Sequence, residues 1–251
     1  MNFTDKAFMV TGAASGIGEA CVRRAGELGA SILLCDIDVE KGEALTQSLQ
    51  AEGVDCRFHV CNVSAEQDVE TAVRKAIKYF GGLDCAINNA GIVGPACALE
   101  DYSLEDWNRV IAVNLTSVFL CVKHQLRVMK PRQAGAIVNV ASGAGLMGTP
   151  NLAAYCASKH GVLGITRTAV AENPQADVRI NAILPGSTRT PMLEQSMAAS
   201  DAVSAMIMQS IPCGRLAEPT EVAEAALWLC SDGASYINGH SLVVDNGGMV
   251  S

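Results

Sequence analysis

Short apolar runs alternate with longer segments whose apolar positions recur every three or four residues, and this alternation continues along the whole 251-residue chain. The runs at 7–12 (AFMVTG), 31–36 (SILLCD), 54–61 (VDCRFHVC), 83–88 (LDCAIN), 135–142 (GAIVNVAS), 178–186 (VRINAILPG) and 241–245 (SLVVD) read as strands. Between them, 19–28, 38–52, 65–80, 103–130, 152–172 and 219–231 read as helices, the long one broken at Pro131. Strands that are apolar throughout and separated by helices predict a parallel sheet covered on both faces. Right-handed crossovers then give an α/β, doubly wound sheet of about seven strands.

No Pro/Gly/Ser-rich linker and no internal repeat divides the chain, so a single domain over 1–251 is expected. The rhythm breaks at 187–212, which is too long for an ordinary loop. It carries Met192, Leu193, Met197, Val203, Met206, Ile207 and Met208. An apolar, Met-rich insertion beside the carboxyl end of a strand is a candidate substrate lid. A small helical pair packed on the core is compatible with that role.

Composition narrows the class. Hydrophobic residues make up 49% and charged residues 18%, enough for one large core and unlike a disordered chain. A net charge of −8, with Lys and Arg scattered, argues against a nucleic-acid partner. None of the ten cysteines lies in a C-x-x-C pair or beside His at metal-ligand spacing, so no metal site is expected. Cys35, Cys85 and Cys230 sit in apolar runs, where a free thiol behaves as a small hydrophobe, and such usage fits a reducing compartment. The N-terminus has no signal-peptide pattern. No apolar run approaches the ~20 residues that cross a bilayer. A soluble, cytoplasmic protein without membrane contact is expected.

Candidate chemistry begins at Tyr155 and Lys159, which stand four apart on the 152–172 helix and so share a face. A free phenol titrates at about 10, and a neighbouring cation lowers that value. Such a pair makes an acid and base usable near neutral pH. His160 and Cys156 point about 100° away from these neighbours and read as packing residues. A second candidate is Thr11-Gly12-Ala13-Ala14-Ser15-Gly16-Ile17-Gly18, between the first strand and the first helix. There glycines allow a tight turn and let a helix N-terminus approach a pyrophosphate. The spacing is G-x-x-x-G-x-G, not the usual G-x-G-x-x-G. Asp36 closes the second strand about 20 residues further on, where a carboxylate accepts hydrogen bonds from an adenine-side ribose. It would repel a 2′-phosphate, and no Arg or Lys stands beside it or at Ser15, so NAD is predicted over NADP. Asn114, in VIAVNLTSVFL, is a poor helix former with no local reason to be there. No serine sits in a G-x-S-x-G elbow, which leaves no basis for a Ser-His-Asp reading.

TGAASGIG (11–18), NNAG (88–91), Asn114, Ser142, Tyr155-x-x-x-Lys159 and Pro185-Gly186 stand in one order along the chain. In that order the sequence resembles the short-chain dehydrogenase/reductase family, in its roughly 250-residue single-domain branch, over nearly its whole length. The resemblance implies a Rossmann-like fold and a nicotinamide cofactor. It makes Tyr155 the acid/base at the substrate oxygen. Lys159 would lower the tyrosine pKa and hydrogen-bond the nicotinamide ribose, and Ser142 would steady charge on the reacting oxygen. Asn114 would support a water-linked proton path to Lys159. Gly12, Ser15, Gly16, Ile17 and Gly18 would cradle the pyrophosphate. Asn89, Ala90 and Gly91 would line the cofactor. Pro185, Gly186 and Thr188 would bracket the nicotinamide, with Thr190 near the phosphates.

Two positions depart from the family pattern. Asn62, next to Val63 on the adenine side, stands where an Asp usually caps the adenine amine, though its side-chain carbonyl can still accept that bond. Asp245-Asn246-Gly247-Gly248 resembles the family's terminal D-G-G turn with one residue changed, a region often buried between subunits, and by resemblance suggests a homotetramer. The expected pocket walls, Gly143, Ala144, Leu146, Leu152, Val93, Met192, Met197 and Met206, are apolar. RTPMLEQSM followed by IPCGRLAEP resembles members acting on cyclic alcohols and diols. The expected activity is therefore NAD-dependent interconversion of a secondary alcohol and a ketone, on a small or cyclic apolar substrate. Reduction of 3-oxoacyl thioesters is weighed less, because such members usually favour NADP. A non-catalytic NAD(H)-sensing regulator is weighed less again, because a sensor has no use for a proton relay.

Overall fold

The computed structural model describes residues 1–174 and 177–250. These residues form seven strands: β1 (Ala7–Thr11), β2 (Ser31–Asp36), β3 (Cys56–Val60), β4 (Cys85–Asn88), β5 (Gly135–Val140), β6 (Val178–Pro185) and β7 (Ser241–Val244). All belong to one parallel sheet in the order β3-β2-β1-β4-β5-β6-β7. The expected strands and their type are thus present, each within two residues of the expected limits.

The helices fall on both faces, and strand alternation decides which face each strand residue serves. Phe8, Val10, Ile32, Leu34, Ile87 and Val138 pack one way, against α1 (Gly16–Glu27), α2 (Val39–Ala51) and α9 (Pro219–Cys230). Met9, Leu33, Cys35, Ala86 and Ile137 pack the other way, against α3 (Glu66–Phe80), α5 (Ser117–Met129) and α6 (Ala153–Ala171). Burial on both faces is why the strands read as continuous apolar runs.

Three details bear on the cleft, and the first two differ from the expectation. Helix α1 starts at Gly16 rather than near 19, because Gly16 and Gly18, poor helix formers by propensity, form its first turn. The 103–130 helix is divided into α4 (Leu104–Ile111), a π-helical turn Ala112–Thr116 and α5, with Asn114 in the widened turn. The 187–212 segment holds α7 (Pro191–Ala198) and α8 (Asp201–Gln209), with every residue of both helices partly or fully exposed. Among the described residues, no helix is long and apolar enough to cross a membrane.

Candidate active site

The sheet order reverses between β1 and β4, and the cleft opens at the carboxyl ends of these strands. After β1 the chain passes Gly12 and Gly16 at φ of 61° and 57°, the left-handed region that glycine tolerates. A Cβ at Gly12 would lie 2.8 Å from the Ala90 Cα, and one at Gly18 would overlap the Gly12 carbonyl oxygen and approach Asn89 Nδ2 to 2.7 Å. Hydrogen bonds fix the same approach. Asn89 Nδ2 donates to the carbonyls of Thr11 (3.2 Å) and Gly12 (2.9 Å), and the Thr11 hydroxyl accepts the Asn89 and Ala90 N–H groups at 3.0 and 3.2 Å. Ser15 caps α1 in extended backbone, and Ile17 packs against the core. In the first turn of α1 Gly16 and Gly18 present no side chain, a cradle suited to a phosphate group.

Asp36 ties the end of β2 to this turn. One carboxylate oxygen accepts the Ala14 N–H at 2.9 Å; the other accepts those of Ile37 and Asp38 at 2.7 and 3.0 Å. Asn62 is turned inward on its own loop: its side-chain carbonyl accepts both the N–H (3.1 Å) and the hydroxyl (2.7 Å) of Ser64. The oxygen expected to accept an adenine amine is therefore shared with an Asx turn. Val63 beside it is buried.

Helix α6 carries Tyr155 and Lys159. Lys159 is only 4% exposed; its Nζ donates to the Val140 carbonyl at 2.9 Å and lies 5.6 Å from the centre of the Tyr155 ring. Burial of the ammonium pushes its pKa down to about 8. The partly buried Tyr155 phenol is shifted up by desolvation, and the group that opposes this is the Ser142 hydroxyl. In this arrangement the ammonium is turned to the β5 carbonyl, and the Ser142 hydroxyl is the neighbour that lowers the tyrosine. Ser142 follows β5, and its hydroxyl accepts the Ala144 N–H at 3.2 Å. His160 is exposed rather than packed, its Nδ1 2.9 Å from the Cys156 carbonyl.

Asn114, 1% exposed, clamps the strand-end loop: Oδ1 accepts the Ile92 N–H and Nδ2 donates to the Ile92 carbonyl, both at 2.8 Å. Nδ2 also reaches the Ser158 hydroxyl at 3.2 Å. A Cβ at Gly91 would lie 3.3 Å from Asn114 Oδ1 and 3.7 Å from Lys159 Nζ, so the three residues meet at one point. The π-helical turn swings the asparagine out of helical register into this position, a common use of such turns.

At the far side, Pro185 ends β6 and the Gly186 N–H donates to the Val244 carbonyl at 3.0 Å. Thr188 is buried with its hydroxyl donating to the Gly186 carbonyl (3.0 Å). Thr190 caps α7 and stands against the glycine turn, its Cγ2 3.1 Å from where a Gly16 Cβ would be. Two features were missed from sequence. One is a buried amide network, Asn88 with Gln125 and Asn139, and Asn139 with Thr166, joining β4 and β5 to α5 and α6. A lone Asn inside GAIVNVAS was its available signal. The other is Met249, just past the turn after β7, which lies over Gly143.

The family profile described as Enoyl-(Acyl carrier protein) reductase matches residues 12–249. A 2,5-dichloro-2,5-cyclohexadiene-1,4-diol dehydrogenase of Sphingobium indicum is 39% identical over 247 residues, 98% of each chain. The chain belongs to the short-chain dehydrogenase/reductase family. Similar members of this dehydrogenase/reductase family include a cyclohexanol dehydrogenase of an Acinetobacter species, 37% identical over 97% of this chain and 94% of that protein. The crystal structure of levodione reductase superposes with a TM-score of 0.96 at 35% identity over all of both chains. The protein is thus an oxidoreductase with a Rossmann-like fold.

Proposed function

We propose that this short-chain dehydrogenase/reductase interconverts a secondary alcohol and a ketone on a small cyclic, apolar substrate, with NAD as cofactor. The observation that carries the reaction class is the convergence of Ser142, Tyr155, Lys159 and Asn114 on one cleft beside the bare glycine turn. Gly12, Ser15, Gly16, Ile17 and Gly18 would hold the pyrophosphate, Asp36 the adenine-side ribose, and Asn62 and Val63 would flank the adenine. Asn89, Ala90 and Gly91 would line the cofactor, with Pro185, Gly186, Thr188 and Thr190 closing over its nicotinamide end. A bound nicotinamide supplies the hydride acceptor or donor.

In the oxidation direction Tyr155 takes the hydroxyl proton while Ser142 hydrogen-bonds the same oxygen. Lys159 is held close to the phenol by α6, and Asn114 holds the loop that borders its ammonium. The Asp36 carboxylate supports NAD, since it would face a 2′-phosphate with like charge. Relatives whose names specify a cyclohexadiene diol and cyclohexanol favour a ring-bearing substrate, in keeping with the exposed apolar side chains of Leu146, Met192 and Met206. The family profile's description, which names an acyl-carrier-protein substrate, favours the second reading, reduction of the keto group of a 3-oxoacyl thioester. The exposed pair α7 and α8 is read as the substrate lid of a single domain. The family resemblance adds a homotetramer to this reading, and the cysteine usage adds a cytoplasmic location.

Tyr155→Phe tests the reading. NADH binding, followed by Trp fluorescence, is expected to persist with higher affinity than for NADPH. Turnover of cyclic diols, cyclic alcohols and hydroxyacyl thioesters, followed by NADH absorbance, should fall by about 10²- to 10⁴-fold. Undiminished turnover would refute the mechanism, an unchanged output without any turnover would favour the regulator, and preference for NADPH would refute the Asp36 argument.

A further inference from the structure

The turn after β7 is held by one carboxylate. Asp245 accepts the Gly247 N–H on one oxygen (2.9 Å) and the Met249 N–H on the other (2.8 Å), while its own carbonyl accepts from Gly248 at 3.2 Å. Asn246 and Gly247 adopt left-handed backbone, φ 54° and 80°, and reverse the chain. Three parts of the cleft meet here. A Cβ at Gly186 would lie 2.7 Å from the Asp245 Cβ, one at Gly248 would lie 3.7 Å from the carbonyl oxygen of Ser210 just beyond α8, and one at Gly143 would lie 3.4 Å from the Met249 Sδ. The thioether therefore covers the residue that directly follows Ser142, between the catalytic floor and the end of the exposed helical pair. Val250, next in the chain, donates its N–H to the Gly247 carbonyl at 3.1 Å and leaves its side chain in solvent, the residue being 90% exposed.

We propose that Met249 is a specificity-determining wall of the substrate pocket, and that Asp245 is its positioning residue. The inference rests on the alcohol dehydrogenase reading above. A substrate oxygen bonded to Ser142 and Tyr155 leaves its carbon skeleton facing whatever lies beyond Gly143, and that surface is a flexible, apolar side chain. Methionine conforms to a single ring, and bulk fused to that ring meets it. Because the turn is fastened at both oxygens of Asp245, the wall has a fixed place in the pocket.

The test is the ratio of kcat/KM for a bicyclic alcohol to that for cyclohexanol, measured in the full-length enzyme with NAD. Met249→Ala is expected to raise this ratio about tenfold or more, the range that one or two methylenes command in an apolar pocket. Met249→Trp should lower it comparably, and Met249→Leu should keep it. Asp245→Asn should move the ratio in the Ala direction by less, through KM rather than kcat. NADH affinity should stay at the wild-type value in the three Met249 variants. A ratio unmoved by both Ala and Trp, in proteins that still bind NADH, overturns the proposal. If the wild type turns over no cyclic alcohol, the substrate reading fails instead. The ratio is then read between the bulkiest and smallest members of whichever substrate class is turned over, with the same outcomes deciding.

Discussion

Around the glycine turn, backbone meets backbone: the Gly12 carbonyl, the start of α1 and the Asn89-Ala90 loop approach so closely that no Cβ fits at Gly12 or Gly18. Around α7 and α8, every residue is partly or fully exposed, and Met192 and Met206 show 39% and 62% of their surface. One side of the cleft is over-determined by contacts and the other is loosely attached. Chemistry shared across a family needs the first kind of surface. Discrimination between substrates needs the second, because exposed apolar side chains can be exchanged without disturbing the sheet.

The largest effect is expected where the packing is tightest. Gly18→Ala forces a methyl group into the Gly12 carbonyl and Asn89, neither of which can move without opening the β1–β4 junction. Overpacking against main chain should cost about 3 kcal/mol, read by urea unfolding, together with loss of NADH binding. Wild-type stability in this variant would show that the turn is adaptable, and would remove the contrast between the two sides.

This difference also explains what could be read from the residues alone. The strands and the glycine turn are written in local pattern: two-sided burial gives unbroken apolar runs, and a close approach demands glycine at fixed spacing. Tyr155 and Lys159 share a helical face by arithmetic. The π-helical turn leaves no such mark, since a shift of hydrogen-bond register changes no composition, and only the oddity of Asn114 hinted at it. The contact of Lys159 with the Val140 carbonyl was not legible, because that carbonyl comes from β5, distant in sequence, and the depth of burial depends on the whole sheet. Met249 was missed for the same reason: its position over Gly143 follows from pairing of β6 with β7 and from the Asp245 clamp, not from its neighbours in sequence.

Lys159 sits between the extremes, buried yet charged. Its folded-state pKa of about 8 lies below the 10.5 ordinary for a lysine. Below pH 8 both folded and unfolded chains hold this proton, and the full cost of burying the charge is present. Between about 8 and 10.5 the unfolded chain keeps a proton that the folded one has released, so this group's contribution to stability rises with pH. The shift corresponds to roughly 3 kcal/mol at 1.36 kcal/mol per unit, part of which Lys159→Met would forfeit by orphaning the Val140 carbonyl, a loss of about 1 kcal/mol. The variant should therefore be more stable than the wild type by about 2 kcal/mol at pH 7, with the advantage gone near pH 10, while turnover is lost. Because other groups titrate in this window, the difference between the two proteins is the quantity to follow. A difference independent of pH would mean that the ammonium is better solvated than its burial implies.

The smallest effect on stability is expected on the loose side, and there the kinetic consequence separates two accounts of α8. Met206→Ser removes an apolar side chain that water already reaches, so unfolding free energy should change by less than about 0.5 kcal/mol, within ~2 °C in melting temperature for a chain of this size. If α8 closes over substrate, the lost apolar contact appears only in the complex, and KM for a cyclic alcohol should rise several-fold while NADH affinity holds. If α8 is merely part of the folded body, the two observations exchange places: KM stays, and the melting temperature falls. The exposure of Met206 favours the first outcome, because a methionine left 62% exposed adds little to the stability of the folded body.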